Sequence, residues 1–230
     1  HFVESSNNST FIPDYFKKND VDSIDFIKVD LDGVDELFLE NLGDLYTKKQ
    51  VMGVFAEQMY DNSIRCGQFC YKSSSEPNYL TIGRLMHKFN FRLFDFVFSK
   101  FESSSVPGKF IYSIQAQNVH GRPLSGDGLY MLDPSEKNYK GIKLSIQKLI
   151  KLVILYDMNG KASWAAELLE AKRKDFEKAG VDVKKCLNLI TRHIIDRDNI
   201  KFKPNNEENL HEEYLSFFKE DPTLLYPDHN

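Results

Sequence analysis

Cysteine is scarce in this chain: Cys66, Cys70 and Cys186 are the only three among 230 residues. So few, and an odd number, exclude a disulfide-stapled scaffold and favour a reducing, cytoplasmic compartment. Cys66 and Cys70 stand four apart, but no His or third Cys lies nearby at metal-ligand spacing, so no metal is expected. Long apolar runs are missing too, and none approaches the length of a membrane span. There is no phosphate loop, dinucleotide fingerprint or paired zinc motif. The one Gly-rich patch, GRPLSGDG at 121–128, lacks the strand-loop-helix order of a phosphate cradle. An excess of positive charge is also lacking. Thirty basic against thirty-four acidic residues give a net charge of −4, which argues against a dedicated nucleic-acid binder. Neither a secretory signal nor a transit peptide stands beside His1, and the expectation is that the numbering opens inside a longer protein.

What is present is a chain able to bury a core. Hydrophobic residues make up 41%, with eighteen Phe and eleven Tyr, and 28% are charged, so wholesale disorder is not expected. The charge is uneven. Residues 1–60 hold twelve acidic and five basic residues, a net of −7; residues 61–140 hold seven and ten, a net of +3; residues 141–230 hold fifteen of each.

The pattern predicts a helix over 11–19, a strand in IDFIKVDLDG at 24–33, a helix over 34–42 and a strand at 51–56 ending in Glu57. That alternation implies part of a parallel α/β sheet. The polar stretch 60–76 reads as a loop, and a helix from Asn78 carries Leu80, Leu85, Met86 and Phe89 as its inner stripe. Strands follow at 91–98, 110–116 and 127–132, the last pair antiparallel. Beyond Pro134 the period turns helical, with helices over 142–158, 164–180, 181–197 and 207–220. The expected division is an α/β domain over 1–138 and a helical region over 139–230.

Asp30 and Asp32 are the sharpest local feature. Two carboxylates at a strand's carboxyl end can hold a metal, act as a base or orient a cation, while the competing reading makes Asp32 a helix cap. Glu57, ending the adjacent strand, can face the same crevice. Cys66 is a weak nucleophile without a local activating His. His87 sits on the exposed side of its helix. His120 and Arg122, in a polar loop, can contact substrate, with Arg122 equally an ordinary loop cation, and Asp127 reads as a turn residue with a functional role as the lesser alternative. Cys186 and Trp164 are expected to pack.

From IDFIKVDLDGVDELFLENL onward the chain resembles the FkbM family of S-adenosylmethionine-dependent methyltransferases. In that family a strand with an acidic end, a turn with a second acidic residue and Gly, and a helix form the fourth strand and its helix. Asp30, Asp32 and Gly33 match those positions. The resemblance continues in order through VMGVFAEQM at 51–59, FNFRLFDF at 89–96 and GDGLYMLDP at 126–134. The entering segment, FIPDYFKKNDVDSIDF, is similar as well, so the match covers about 1–134.

The resemblance implies a partial Rossmann-like methyltransferase sheet, with strands four to seven, followed by the helical region. The family's Gly-rich loop and ribose-binding acid come before this point. The expectation is therefore a carboxyl-terminal part of a longer protein, its sheet edge covered by an upstream segment or another chain, a second copy included. The implied reaction is methyl transfer from S-adenosylmethionine to a hydroxyl of a saccharide or natural product. Asp30 and Glu57 would be catalytic, Asp30, Asp32 and Gly33 would hold cofactor, and His120 and Arg122 would touch substrate. The competing class is a non-catalytic binding or assembly module; a hydrolase using Asp30 and Glu57 on a metal ranks third, because its other ligands cannot be named.

Overall fold

The computed structural model describes residues 12–31, 35–60, 78–102, 116–117 and 121–220. Among these the chain is α/β, with nine α-helices and one mixed five-stranded sheet. It divides into two compact units. One runs through Asp133 and takes in Asn138–Ile142; the other holds Pro134–Lys137 and the chain from Lys143 onward.

The first unit contains α1 (Ile12–Lys18), β1 (Phe26–Val29), α2 (Asp35–Leu42), α3 (Leu45–Lys48) and β2 (Gly53–Met59). It continues with α4 (Asn78–Lys88), β3 (Phe91–Glu102), β4 (Ala116–Gln117) and β5 (Arg122–Leu132). The strand order is β1-β2-β5-β3-β4. β1 and β2 are parallel, and β5 lies antiparallel to both β2 and β3. Thus β1, β2 and β3 point the same way, and the last long strand reverses between two of them.

That central place explains the sequence of β5. Leu129, Tyr130, Met131 and Leu132 are all buried, so both faces are covered and the strand reads as an apolar run rather than an alternation. β2 alternates along its middle, with Val54 and Ala56 fully buried and Phe55 and Glu57 half-buried. Both strands are longer than expected. Glu57 lies inside β2 rather than at its end, and Arg122 and Asp127 lie in β5 rather than in a loop or turn.

The glycines around Asp127 belong to the strand as well. A Cβ on Gly126 would meet the Val97 carbonyl oxygen at 2.2 Å, and one on Gly128 the Gln58 amide nitrogen at 2.8 Å. Close approach, not a turn, requires glycine there.

α2 and α4 pack against each other and against the sheet, burying Leu39, Leu42, Ile82 and Met86. The inner stripe of α4 is therefore Ile82 and Met86; Leu80, expected inside, is 39% exposed. Tyr46 of the short α3 fills the space between elements. Its ring lies 4.6 Å from Phe89 and its hydroxyl donates to the Leu39 carbonyl at 2.9 Å. The strand expected at 110–116 falls outside the described residues except for Ala116.

The second unit holds α5 (Ile146–Met158), α6 (Ala162–Ala171), α7 (Arg173–Lys178), α8 (Val183–Arg197), a 3-10 turn (Glu207–Asn209) and α9 (Leu210–Glu220). Ser145 caps α5 by accepting the Lys148 N–H, and Asp182 caps α8 by accepting that of Lys185. The single helix expected over 164–180 is two, because the backbone at Lys172 leaves the helical region at φ −115°. Gly180, at φ +82°, follows α7 in the left-handed conformation. Leu152, Tyr156, Leu168 and Phe176 are fully buried and form the centre of this unit. Two packing expectations change: Trp164 is 37% exposed, and Cys186 is half-buried, burial pushing its thiol pKa up.

Candidate functional site

Of the three parallel strands, β2 and β3 run on past the level of Ala56 and Phe96, where β1 reaches its carboxyl end at Val29. In open α/β sheets this is where ligands bind. The described side chains there are Lys28, Asp30, Glu57 and Asp127.

Asp30 directly follows β1. Its carboxylate is 57% exposed and accepts a hydrogen bond from Lys28 Nζ at 2.6 Å. Such an exposed ion pair contributes little stability, so it can open to a ligand at small cost. Glu57 and Asp127 are register partners across the antiparallel pair of β2 and β5. Directly opposed residues share a face, with Cβ atoms about 4.5–5.5 Å apart.

Asp127 is half-buried, and burial is the main cause that raises its carboxyl pKa. The charge of Asp30 raises it further, and Lys28 partly offsets this. The Lys28 ammonium is in turn held up by its hydrogen bond to Asp30 and by that carboxylate's charge, with Asp127 and Asp35 adding to the effect. Lys28, Asp30 and Asp127 therefore sense one another. Asp35, fully buried in the first turn of α2, accepts the Leu31 N–H at 3.3 Å and fastens the chain leaving β1. The cap expected at Asp32 falls outside the described residues.

The chain matches no family model, no curated protein and no solved structure. Chemistry must therefore be read from the side chains.

Of the residues singled out from sequence, Asp30 stands at the carboxyl end of β1, and Glu57 lies within β2 opposite Asp127. Arg122, the first residue of β5, is exposed and paired in register with Phe101. Asp32, Gly33, His120, Cys66 and Cys70 lie outside the described residues. His87 is exposed, as expected, with Nδ1 2.9 Å from the Arg92 guanidinium. Among the described residues no group of three or more His, Cys, Asp or Glu side chains is arranged to hold a metal ion. Nor, among them, is any helix long and apolar enough to cross a membrane.

Sequence reasoning read Asp127 first as a turn residue, and it missed Lys28 and a polar network on the opposite face of β2. Gln58 is buried, donates from Nε2 to the Tyr130 hydroxyl at 2.7 Å, and accepts from the Tyr60 hydroxyl at 3.2 Å. The Tyr60 ring stacks on Tyr79 at 4.7 Å and meets the edge of Phe96 at 4.8 Å. Burial drives the Tyr60 hydroxyl pKa well above its ordinary range, so the group remains a donor. Strand alternation was the signal available: Gln58 and Tyr60 share one parity, and Glu57 lies on the other.

This arrangement can bind a cation or a hydroxyl-rich ligand. A carboxylate whose proton affinity is raised at neutral pH can also accept a hydroxyl proton.

Proposed function

We propose that this chain forms the carboxyl-terminal part of an S-adenosylmethionine-dependent O-methyltransferase acting on a hydroxyl of a saccharide or natural product. The observation that carries the reading is the gathering of Asp30, Glu57 and Asp127 near the carboxyl edge of β1 and β2. Anionic side chains suit a cofactor that is cationic at both its sulfonium and its amino group. The strand directions also suit a Rossmann-like sheet of which β1, β2, β3 and β5 would be strands four to seven.

S-adenosylmethionine, when bound, supplies an electrophilic methyl group. The acceptor oxygen must lie in line with that methyl and lose its proton as the new C–O bond forms and the C–S bond breaks. Asp30, once released from Lys28, would orient the cationic cofactor. Glu57 and Asp127 would bind the acceptor hydroxyl, with Asp127 taking its proton. Asp32 and Gly33 would complete the cofactor side, and His120 and Arg122 the acceptor side.

Among the described residues β1 pairs with β2 alone, so its other edge can take a further parallel strand. We assign that place to an upstream segment of the same protein or to another chain, including a second copy. A cytoplasmic location accords with the few cysteines, and the net charge of −4 does not favour a nucleic-acid partner.

The test is methyl transfer and S-adenosylmethionine calorimetry on the full-length protein and on D30N, E57Q and D127N. General-base catalysis contributes about 10²–10⁴-fold, so D127N should lose roughly 100-fold in turnover while still binding cofactor. Wild-type turnover in all three variants would overturn the assignment. The second reading, a non-catalytic binding or assembly module, is favoured by one observation: Asp30 is already satisfied by Lys28. Absence of cofactor binding by the full-length wild type would select it.

A further inference from the structure

Gln58, Tyr60 and Tyr130 carry more hydrogen-bond donors than their mutual hydrogen bonds use. We propose that these three, with Tyr79, Phe96 and Phe98, bind an uncharged aromatic ligand whose carbonyl or ether oxygens accept the spare donors. The site lies on the face of β2 opposite Glu57 and Asp127, and it stands whether or not the chain transfers methyl groups.

Gln58 is 1% exposed and Tyr130 5%. The amide carries two hydrogens and each phenol one. Gln58 Nε2 donates to the Tyr130 hydroxyl at 2.7 Å, and the Tyr60 hydroxyl donates to Gln58 Oε1 at 3.2 Å. The second amide hydrogen and the Tyr130 hydroxyl hydrogen are left, and among the described residues neither meets an acceptor. Turning the amide over changes only the phenol. Tyr130 then donates to Oε1, Nε2 donates to the Tyr60 oxygen, and the Tyr60 hydrogen is the one left. One amide hydrogen is spare in both orientations. Buried donors are rarely without an acceptor, so these call for a bound oxygen.

There is room beside them. A Cβ on Gly83 of α4 would meet the Tyr130 hydroxyl at 3.8 Å and, outside its own helix, no other described atom within 4 Å. Tyr79 stands one turn earlier on α4, its ring stacked on that of Tyr60 at 4.7 Å. Phe96 and Phe98 reach the Tyr60 ring at 4.8 and 5.4 Å, and Phe98 is 48% exposed. Aromatic walls with a few fixed polar groups are the composition of a small-molecule site. A flat ring laid on Phe98 and Tyr60 extends the cluster, and aromatic pairs gain beyond their buried area.

The balance of donors and charge selects the ligand. A saccharide brings hydroxyl hydrogens to a site already rich in them, whereas a ketone or ether oxygen only accepts. An anion would be desolvated there without a counter-charge. The trio is neutral, since burial raises the pKa of both phenols, and the formal charge acting on Tyr60 is the carboxylate of Asp127.

The experiment is an NMR titration of the full chain with chromanone, a fused aromatic ring bearing a ketone and an ether oxygen but no donor. Signals of the Gln58 side-chain amide and the Phe98 ring should shift together and saturate. Gln58→Leu should weaken binding roughly three- to tenfold, the effect of one neutral hydrogen bond. Phe98→Ala, at an exposed position, should weaken it several-fold. An unmoved Gln58 amide would mean that the spare donor holds water alone, and it overturns the proposal, as does wild-type affinity in either variant. Methyl glucoside or benzoate binding there in place of chromanone overturns the uncharged aromatic class. If Q58L does not fold, the Gln58 amide shift in the unsubstituted chain and the affinity of F98A decide.

Discussion

Replacing Gly126 with Ala tests whether β5 is held from both sides. The added Cβ would lie 2.2 Å from the Val97 carbonyl oxygen, 2.7 Å from the Phe96 ring and 3.1 Å from the Phe98 Cα. Two of those three atoms are backbone of β3, the strand paired with β5 from Phe91↔Leu132 to Phe101↔Arg122. Relief to ordinary contact requires the strands to part locally by roughly 1 Å. Overpacking of this kind costs about 1–3 kcal/mol, and a backbone obstacle places G126A near 3 kcal/mol. Gly128→Ala is the control, since its Cβ meets the Gln58 amide at 2.8 Å and the Tyr130 ring at 2.9 Å, both side chains. Those can shift, at the expense of one buried hydrogen bond, so G128A should cost about 1 kcal/mol. The assay must see the sheet. The single Trp, Trp164, lies in the helical unit and reports on the wrong part, so exchange of β5 amides is the measure. A difference near 2 kcal/mol corresponds to roughly a 30-fold ratio of protection between the two variants. Equal protection would refute the close approach of β3 and β5 and, with it, the place given to Asp127.

Other expectations follow from single contacts. D127N removes a carboxyl with a raised folded pKa, whose contribution is favourable at low pH and is lost as pH rises through that value. The variant should therefore match the wild type in acid and be slightly more stable at neutral pH, as urea midpoints would show. Gln58→Leu leaves the buried Tyr130 hydroxyl without its partner and should cost about 2 kcal/mol in the same titration. Ser145→Ala and Asp182→Ala each delete a helix cap and should lower helical-unit stability by about 1 kcal/mol, read by Trp164 fluorescence.

Much of the chain was legible locally. The apolar β1 segment, the 3.6-residue spacing in α2 and α8, and the apolar run LYML each point to the element that forms. What escaped has physical reasons. Gly-Asp-Gly at 126–128 carries a turn's composition, yet its glycines answer to Val97 and Gln58, which are remote in sequence. The four-residue α3 is too short to show a period, and the α6–α7 break at Lys172 carries neither Gly nor Pro. Asp30 was visible because an acidic strand end is a local feature, and Glu57 was picked out as one although it lies inside β2. Asp127 was read as a turn residue, because its place in β5 opposite Glu57 comes from the strand beside it. Two sequence expectations for α4 and α6 failed together, since Leu80 and Trp164 fit a helical stripe but lie at its exposed margin.

The position of β5 also governs the order in which the sheet can be completed. Gln58 and Tyr130, joined by a hydrogen bond, lie 72 residues apart. Until the last long strand leaves the ribosome, β2 and β3 each lack their central partner, and among the described strands only the short β1–β2 and β3–β4 pairings can form. Loop closure of that span must precede most of the pairing energy, which makes folding of this unit slow and its intermediates prone to associate. The nascent chain therefore has a window of vulnerability that closes only with residues 122–132. A chaperone requirement should track that window, not the later helices.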